Sequence, residues 1–250
     1  MTAQRAADIL SGARSGLALT GAGVSAESGI PTFRGEGGVW TRYDPVKVAS
    51  IDSFLEDPTA YWTVAKERGA VALAAQPNAG HYALAALQAA GMLTAIVTQN
   101  TDGLHQAAGS RRVVEVHGSG RMVECLTCGA REPRADVQAR LDLELPPRCK
   151  VCGGNRLKPT VVLFGEPMPA AAVREAFELA RAADVMLVVG SSLVVHPAAD
   201  IPLAAVRSGA RLIVVNAEPT PIDSMAEVVI RGRSGEVLPE VVSLLALSGG

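Results

Sequence analysis

Ser15-Gly-Leu-Ala-Leu-Thr20, running directly into Gly21-Ala-Gly-Val-Ser25, is the stretch that decides the fold. A short apolar run ending in glycines reads as a strand buried on both faces, the environment of a parallel sheet covered by helices. Glycines straight after such a strand let the backbone approach a pyrophosphate, whose charge is met by amides at the next helix start. The turn is weak evidence by itself, because position 26 is alanine where the usual fingerprint has its third glycine. No acidic residue ends the next strand in the customary register either, so an ordinary dehydrogenase is disfavoured.

Working outward, apolar runs recur at 94–98, 113–116, 185–189, 212–215 and 227–230, separated by alanine-rich helical stretches such as 79–90 and 171–182. A further helix is expected at 3–13. Strands alternating with helices predict an α/β fold with a Rossmann-like parallel sheet. Asn78 suits an N-cap, and Gly91 suits the left-handed residue that closes the same helix. Two segments interrupt the alternation: 36–74, carrying Trp40, Tyr43, Phe54, Tyr61 and Trp62, and 121–156, carrying every cysteine. Residues 1–35, 75–120 and 157–250 therefore form the dinucleotide-binding domain. The first insertion is expected to be a small helical lobe with its own aromatic mini-core, the second a module too small to fold without metal, the two together forming the small domain. The end, 244–250, reads as a frayed helix.

The chain has 250 residues, 48% of them hydrophobic, enough to bury a substantial core without oligomerising. Net charge is −2 with 19% charged residues, which gives no field to attract nucleic acid or an anionic membrane. The opening residues lack the apolar core of a signal peptide, and a cytoplasmic location is expected.

All four cysteines fall in two C-x-x-C pairs, Cys125/Cys128 and Cys149/Cys152. Two-residue spacing points both thiolates of a knuckle at one ion, and two knuckles complete the four-sulfur shell of structural zinc. A closed shell leaves no open coordination position, so the metal holds shape and takes no part in chemistry. Disulfides are the competing reading, disfavoured in a reducing compartment.

Three further segments carry candidate chemistry. Ser25 to Gly35 is a Gly/Pro-punctuated loop in which Phe33 can wall a flat heterocycle and Arg34 can reach a phosphate. Thr98-Gln99-Asn100-Thr101-Asp102 lies at the C-terminal end of a predicted strand, where open α/β sheets place ligands. His117 also ends a predicted strand, and an unperturbed pKa of roughly 6.5 suits it as a general base. His81, His105 and His196 are read as structural.

Together, Gly21 to Arg34, Gln99 to Asp102, His117-Gly118, the cysteine pairs, Val161-Val-Leu-Phe-Gly-Glu166 and Gly190-Ser-Ser-Leu-Val-Val195 closely resemble the sirtuins, in the family's order from about Leu17 to Gly232. The resemblance implies an NAD-dependent protein-lysine deacylase acting on acylated proteins or peptides, with NAD as a consumed co-substrate. Gly21, Ala22, Gly23, Ala26, Phe33 and Arg34 would hold the pyrophosphate and nicotinamide ribose. Gln99, Asn100 and Asp102 would line the ribose and carboxamide pocket, with Asn100 and His117 catalytic. Gly190, Ser191, Ser192, Asn216 and Glu218 would take the adenosine half. As in the family, the acyl oxygen would attack C1′ of the ribose, expelling nicotinamide, and His117 would then drive transfer of the acyl group to ADP-ribose.

Val162, Phe164 and Val195 lie on two strand-like edges, 161–164 and 193–195, between which an extended peptide could add. Two departures stand out. Thr101 replaces the family's common isoleucine. The short chain and Gly37-Gly38-Val39-Trp40 also resemble the bacterial and mitochondrial branch that removes succinyl groups, yet its Tyr-x-x-Arg pair appears here as Ala65 and Arg68. With the tyrosine missing, deacetylation is expected to exceed desuccinylation. Mono-ADP-ribosyltransfer from the same site, or a non-catalytic NAD sensor, are the competing readings.

Overall fold

The computed structural model describes residues 2–35 and 37–247. Its strands are β1 (Gly16–Thr20), β2 (Leu93–Thr98), β3 (Val113–Glu115), β4 (Gly118–Cys125), β5 (Arg131–Pro133), β6 (Leu157–Val161), β7 (Val185–Val189), β8 (Arg211–Val215) and β9 (Val228–Ile230). The helices are α1 (Thr2–Ser11), α2 (Pro45–Ala49), α3 (Ile51–Glu56), α4 (Pro58–Ala74), α5 (Ala79–Ala89), α6 (Leu104–Ala107), α7 (Arg134–Gln138), α8 (Ala170–Ala182), α9 (Asp200–Arg207) and α10 (Ser234–Leu247). The expected tail thus begins inside α10, and residues 248–250 lie outside the described residues.

Six strands form one sheet in the order β3-β2-β1-β7-β8-β9, and every neighbouring pair is parallel. Strands β1 and β7 are buried along their whole length, as the apolar runs predict. Alternate residues feed two cores. Ala18, Ile96 and Leu187 pack with α1, α5 and α10 on one face, while Leu17, Leu19, Val97 and Val188 pack with α8 and α9 on the other. Strand order reverses between β1 and β7, so the loops leaving their carboxyl ends diverge and open a crevice.

Local signals act where expected. The Asn78 side chain accepts from the Gly80 and His81 amides in a capping box completed by His81, and Gly91 follows α5 with a φ of 78°.

The small lobe departs from expectation in two ways. A three-stranded antiparallel sheet, β5-β4-β6, spans the cysteine segment, and β4 and β6 reach beyond its expected limits at 121 and 156. The aromatic helices also have no core of their own. Phe54 and Trp62 pack with Val123, Cys125, Val137, Leu141, Cys149 and Leu157 in one shared cluster, and the Trp62 indole donates to the Leu157 carbonyl at 3.0 Å. Neither insertion has enough apolar mass alone, so the two bury each other. Trp40 stands apart from that core and stacks on Phe33, with ring centroids 5.2 Å apart.

Candidate active site

The crevice beside β1 and β7 is lined by glycine. A Cβ on Gly21 or Gly23 would meet Gly190 backbone atoms at 2.8 Å, and one on Gly190 would meet the Val24 amide nitrogen at 2.4 Å. Gly190 also has a φ of 60°, in the left-handed region. Side chains are thereby excluded from both turns, which leaves backbone facing the crevice. After Gly21 the chain forms a seven-residue 3-10 helix, Ala22–Ser28, which takes in the first residues of the segment read as a loop from Ser25. Tertiary contacts hold it: Val24 is drawn into the core, and the Ser25 hydroxyl is buried and donates to Asp102 at 2.7 Å.

Around Ser25 the ends of β1 and β2 are tied together. Asn100 donates its amide to the Gly21 carbonyl at 3.0 Å and to Ser25 Oγ at 3.1 Å. Asp102 accepts the Leu104 amide at 2.9 Å, capping α6. His81 Nε2 lies 3.4 Å from the same Ser25 hydroxyl, so a residue read as purely structural reaches this network. Behind it, His105 Nε2 sits 2.8 Å from Thr20 Oγ1, and burial pushes its pKa down to about 3. Gln99 spans the crevice, donating to Ser191 Oγ at 2.8 Å.

His117 follows β3, and its Nδ1 lies 3.0 Å from the Gln99 carbonyl. A carbonyl can only accept, so Nδ1 carries the proton and the Nε2 lone pair is left free. Burial holds the imidazole below the ordinary histidine range, with the Gln99 bond opposing that shift. A neutral ring with a fixed tautomer is the form a general base requires.

Toward the small lobe the cleft changes character. Arg68 and Arg134 are both buried enough that desolvation lowers their pKa values, and both line the cleft. The Arg68 guanidinium lies 4.5 Å from the Phe33 ring centroid, and that of Arg134 lies 4.9 Å from the Trp62 ring. Arg134 also donates to the Ala65 carbonyl at 2.9 Å. Among the described residues, Arg68 Nε and Arg134 Nη1 are buried without a hydrogen-bond partner. Tyr61 borders the same space, its hydroxyl raised in pKa by burial. The channel beside Ala65 is therefore less apolar than the sequence suggests. Tyr61 and Arg134 were missed because nothing local marks them.

One cleft of about 930 Å³ is lined by all the residues anticipated for the cofactor, from Gly21 to Glu218, together with His117, Ala65, Arg68, Val162, Phe164 and Val195. The strand-like edges are only partly strands. Val161 ends β6, Phe164 forms an isolated parallel bridge with Ser50, and 193–195 is irregular because Leu193 takes a φ of 52°.

The cysteines come together away from the cleft, with all four sulfurs within 4.8 Å of one another. Cys125 and Cys152 sulfurs are 3.6 Å apart and those of Cys128 and Cys149 are 3.7 Å apart. A tetrahedron with Zn–S bonds of about 2.3 Å has edges of about 3.8 Å, so the donor set fits zinc, whereas a disulfide would need about 2.05 Å.

The Sir2 family model matches residues 21–197. The NAD-dependent protein deacylase 2 of Archaeoglobus fulgidus is 49% identical over 239 residues, covering 96% of this chain and 94% of the relative. A solved structure described as bearing on the mechanism and regulation of Sir2 enzymes superposes with a TM-score of 0.93 at 47% identity, covering 99% of this chain and 98% of that one. A second, a Sir2 complex with a deacetylated p53 peptide and 3′-O-acetyl ADP ribose, gives a TM-score of 0.93 at 40% identity, covering 97% and 98%. Glycine cradle, fixed histidine tautomer and cysteine tetrad therefore sit in a shared framework, and the chain belongs to the Sir2 family.

Proposed function

We propose that this protein is an NAD-dependent protein-lysine deacylase that releases nicotinamide and O-acyl-ADP-ribose. The observation that carries the reading is the position of His117, a neutral base with Nε2 free, in the one cleft that also contains the glycine cradle. In this reading Gly21, Ala22, Gly23, Ala26, Phe33 and Arg34 receive the pyrophosphate and its adjoining ribose. Gly190, Ser191, Ser192, Asn216 and Glu218 receive the adenosine half. Gln99, Asn100 and Asp102 face the nicotinamide end. NAD supplies an electrophilic ribose carbon and a leaving group.

The chain's own residues do the rest. Asn100, anchored to Gly21 and Ser25, keeps the ends of β1 and β2 at fixed separation, so the bound ribose meets a rigid wall. His117 takes a ribose hydroxyl proton at Nε2, and the Gln99 carbonyl stabilises the charge that the ring then carries. Val162, Phe164 and Val195 flank the space for an extended acyl-lysine peptide. The zinc, held by Cys125, Cys128, Cys149 and Cys152, keeps the small lobe folded.

Within this activity, acetyl is assigned ahead of succinyl, because Ala65 offers no phenol one helical turn before Arg68 to share a carboxylate, and the nearby Tyr61 hydroxyl is itself buried. A second reading, an acidic acyl group, rests on Arg68 and Arg134 together: two buried guanidiniums with unpartnered nitrogens compensate a carboxylate if both can reach it. Comparing kcat/KM for acetyl, butyryl and succinyl forms of one peptide separates the two.

The reducing chemistry that zinc thiolates need, and a net charge of −2, fit a cytoplasmic enzyme of acylated proteins with no nucleic-acid or membrane partner. Among the described residues no helix is long and apolar enough to cross a membrane. Mass spectrometry of an acetyl-lysine peptide incubated with NAD tests the central assignment. Loss of acetyl with O-acetyl-ADP-ribose formation is expected; a peptide that gains ADP-ribose would replace deacylation with ADP-ribosyltransfer.

A further inference from the structure

Lys158 is a buried cation outside the NAD half of the cleft, and the chemistry described so far makes no use of it. Its ammonium donates to the Val161 carbonyl at 2.7 Å and the Pro159 carbonyl at 3.2 Å, and pairs with Glu166 Oε2 at 2.9 Å. All three donors of the ammonium are thus occupied. The same Glu166 oxygen accepts the Leu163 amide at 2.8 Å, and the Glu166 amide returns to the Leu163 carbonyl at 3.0 Å. Five contacts therefore close residues 158–166 into a rigid staple around one ion pair.

What the staple holds is informative. The Val162 amide donates to the His117 carbonyl at 2.9 Å. Two residues on, the Phe164 amide donates to the Ala49 carbonyl at 2.9 Å, and its carbonyl accepts the Ile51 amide at 2.9 Å. One short segment thereby touches the catalytic histidine's backbone at one end and the helical lobe at the other, while its side chains border the cleft. Beyond Val161, which pairs with Gly118 of β4, nothing among the described residues holds 162–166 in a continuous sheet, since β6 ends there and Phe164 makes only an isolated bridge.

We infer that the Lys158–Glu166 pair is a positioning device for the acyl-peptide, setting the backbone edge at 161–164 in register with His117. This rests on the deacylase reading, in which that edge receives the peptide. Removing the ammonium frees the Val161 and Pro159 carbonyls and leaves the Glu166 carboxylate half-buried without its partner, so the edge loses its single conformation. The glycine cradle at Gly21, Gly23 and Gly190 shares no residue with the staple, so NAD binding is insulated from the change.

The test uses the full zinc-loaded chain with Lys158→Met, Lys158→Arg and the double variant Lys158→Met/Glu166→Leu. For Lys158→Met the peptide KM is expected to rise about ten-fold or more, with the NAD Kd held within about two-fold by calorimetry. Lys158→Arg should recover much of the peptide KM. The double variant, which leaves no unpaired buried charge, should recover melting temperature without recovering peptide KM, a split that a merely structural pair would not produce. Should Lys158→Met fold poorly, the double variant alone still decides. A peptide KM within about two-fold of the unsubstituted protein, or one that recovers with melting temperature in the double variant, overturns the inference. If the unsubstituted protein removes no acyl group, the deacylase reading falls; if it does and the variants keep their peptide KM, only the positioning role falls.

Discussion

The two ends of the cleft are built by different means. The cofactor end is made of backbone: Gly21, Gly23 and Gly190 pack so closely that no side chain can enter, and short polar residues at neighbouring strand ends complete it. The end proposed for the acyl group is made of large side chains, Tyr61, Arg68 and Arg134, carried by segments that meet only because the helical lobe and the cysteine module share a core. A site made of backbone inherits its geometry from the sheet. A site made of side chains inherits it from whatever folds the small lobe.

The largest effect should come from breaking the second kind of support. Cys149→Ala removes one zinc ligand and also opens the shared core, in which Cys149 is buried with Trp62 and Leu157. Deacylation should fall by about a hundred-fold or more, with zinc content below about half an equivalent, while the six-stranded sheet stays folded. Hydrogen exchange checks this: protection lost in 118–161 but kept in β1, β2 and β7 is expected, and uniform loss would merge the two halves. Full activity without zinc would remove the metal from the account.

Breaking the first kind should be more selective. Gly190→Ala places a Cβ 2.4 Å from the Val24 amide nitrogen at a φ of 60°. An overpacking cost of roughly 1–3 kcal/mol corresponds to about a five- to 150-fold loss of NAD affinity, with the zinc lobe untouched. Calorimetric titration with NAD reads it directly, and unchanged affinity would mean that the cradle is not the cofactor end.

A third change sharpens the acyl end. Ala65→Tyr places a phenol one helical turn before Arg68 and should shift the succinyl-to-acetyl ratio of kcat/KM toward succinyl by about ten-fold, the scale of one charge-assisted hydrogen bond. If the unsubstituted protein already prefers succinyl, Arg68 and Arg134 carry carboxylate recognition between them.

A further expected effect is on acid stability. His81, His105 and His117 are each held below the ordinary histidine range by burial, to about 3 for His105. The fold therefore favours their neutral forms. Their contribution is complete above about pH 6.5 and is lost as pH falls from there toward the folded values, at up to about 1.4 kcal/mol per pH unit for each group. Melting temperature should fall between pH 7 and 5, less steeply in His105→Asn, and a flat profile would show these rings are better solvated than their burial implies.

Legibility in the sequence follows the same division. The glycines, Gln99 to Asp102, and the cysteine pairs are short-range patterns whose spacing carries the chemistry, so the residues proposed for the cofactor line one cleft and the four cysteines cluster together. Tyr61, Arg134 and the Lys158–Glu166 pair carry no such pattern. Arg134 reaches the Ala65 carbonyl across 69 residues of chain, and only the packing of α4 against α7 reveals that it enters the cleft. For the same reason a separate aromatic core was expected where the insertions in fact pool their apolar side chains. The 3-10 helix after Gly21 was invisible because Ser25 is fixed by Asn100 and Asp102, which follow β2 far along the chain.

The claim that joins the two halves is that His117 stands at their junction as the base, with Nδ1 committed to Gln99 and Nε2 free. His117→Ala in the zinc-loaded protein tests it most directly, with NAD affinity by calorimetry and deacylation of an acetyl-lysine peptide measured on the same preparation. Deacylation should drop by about a hundred-fold or more while the NAD Kd stays within about three-fold. Near-normal turnover would contradict the account and reduce His117 to a residue that merely ends a strand.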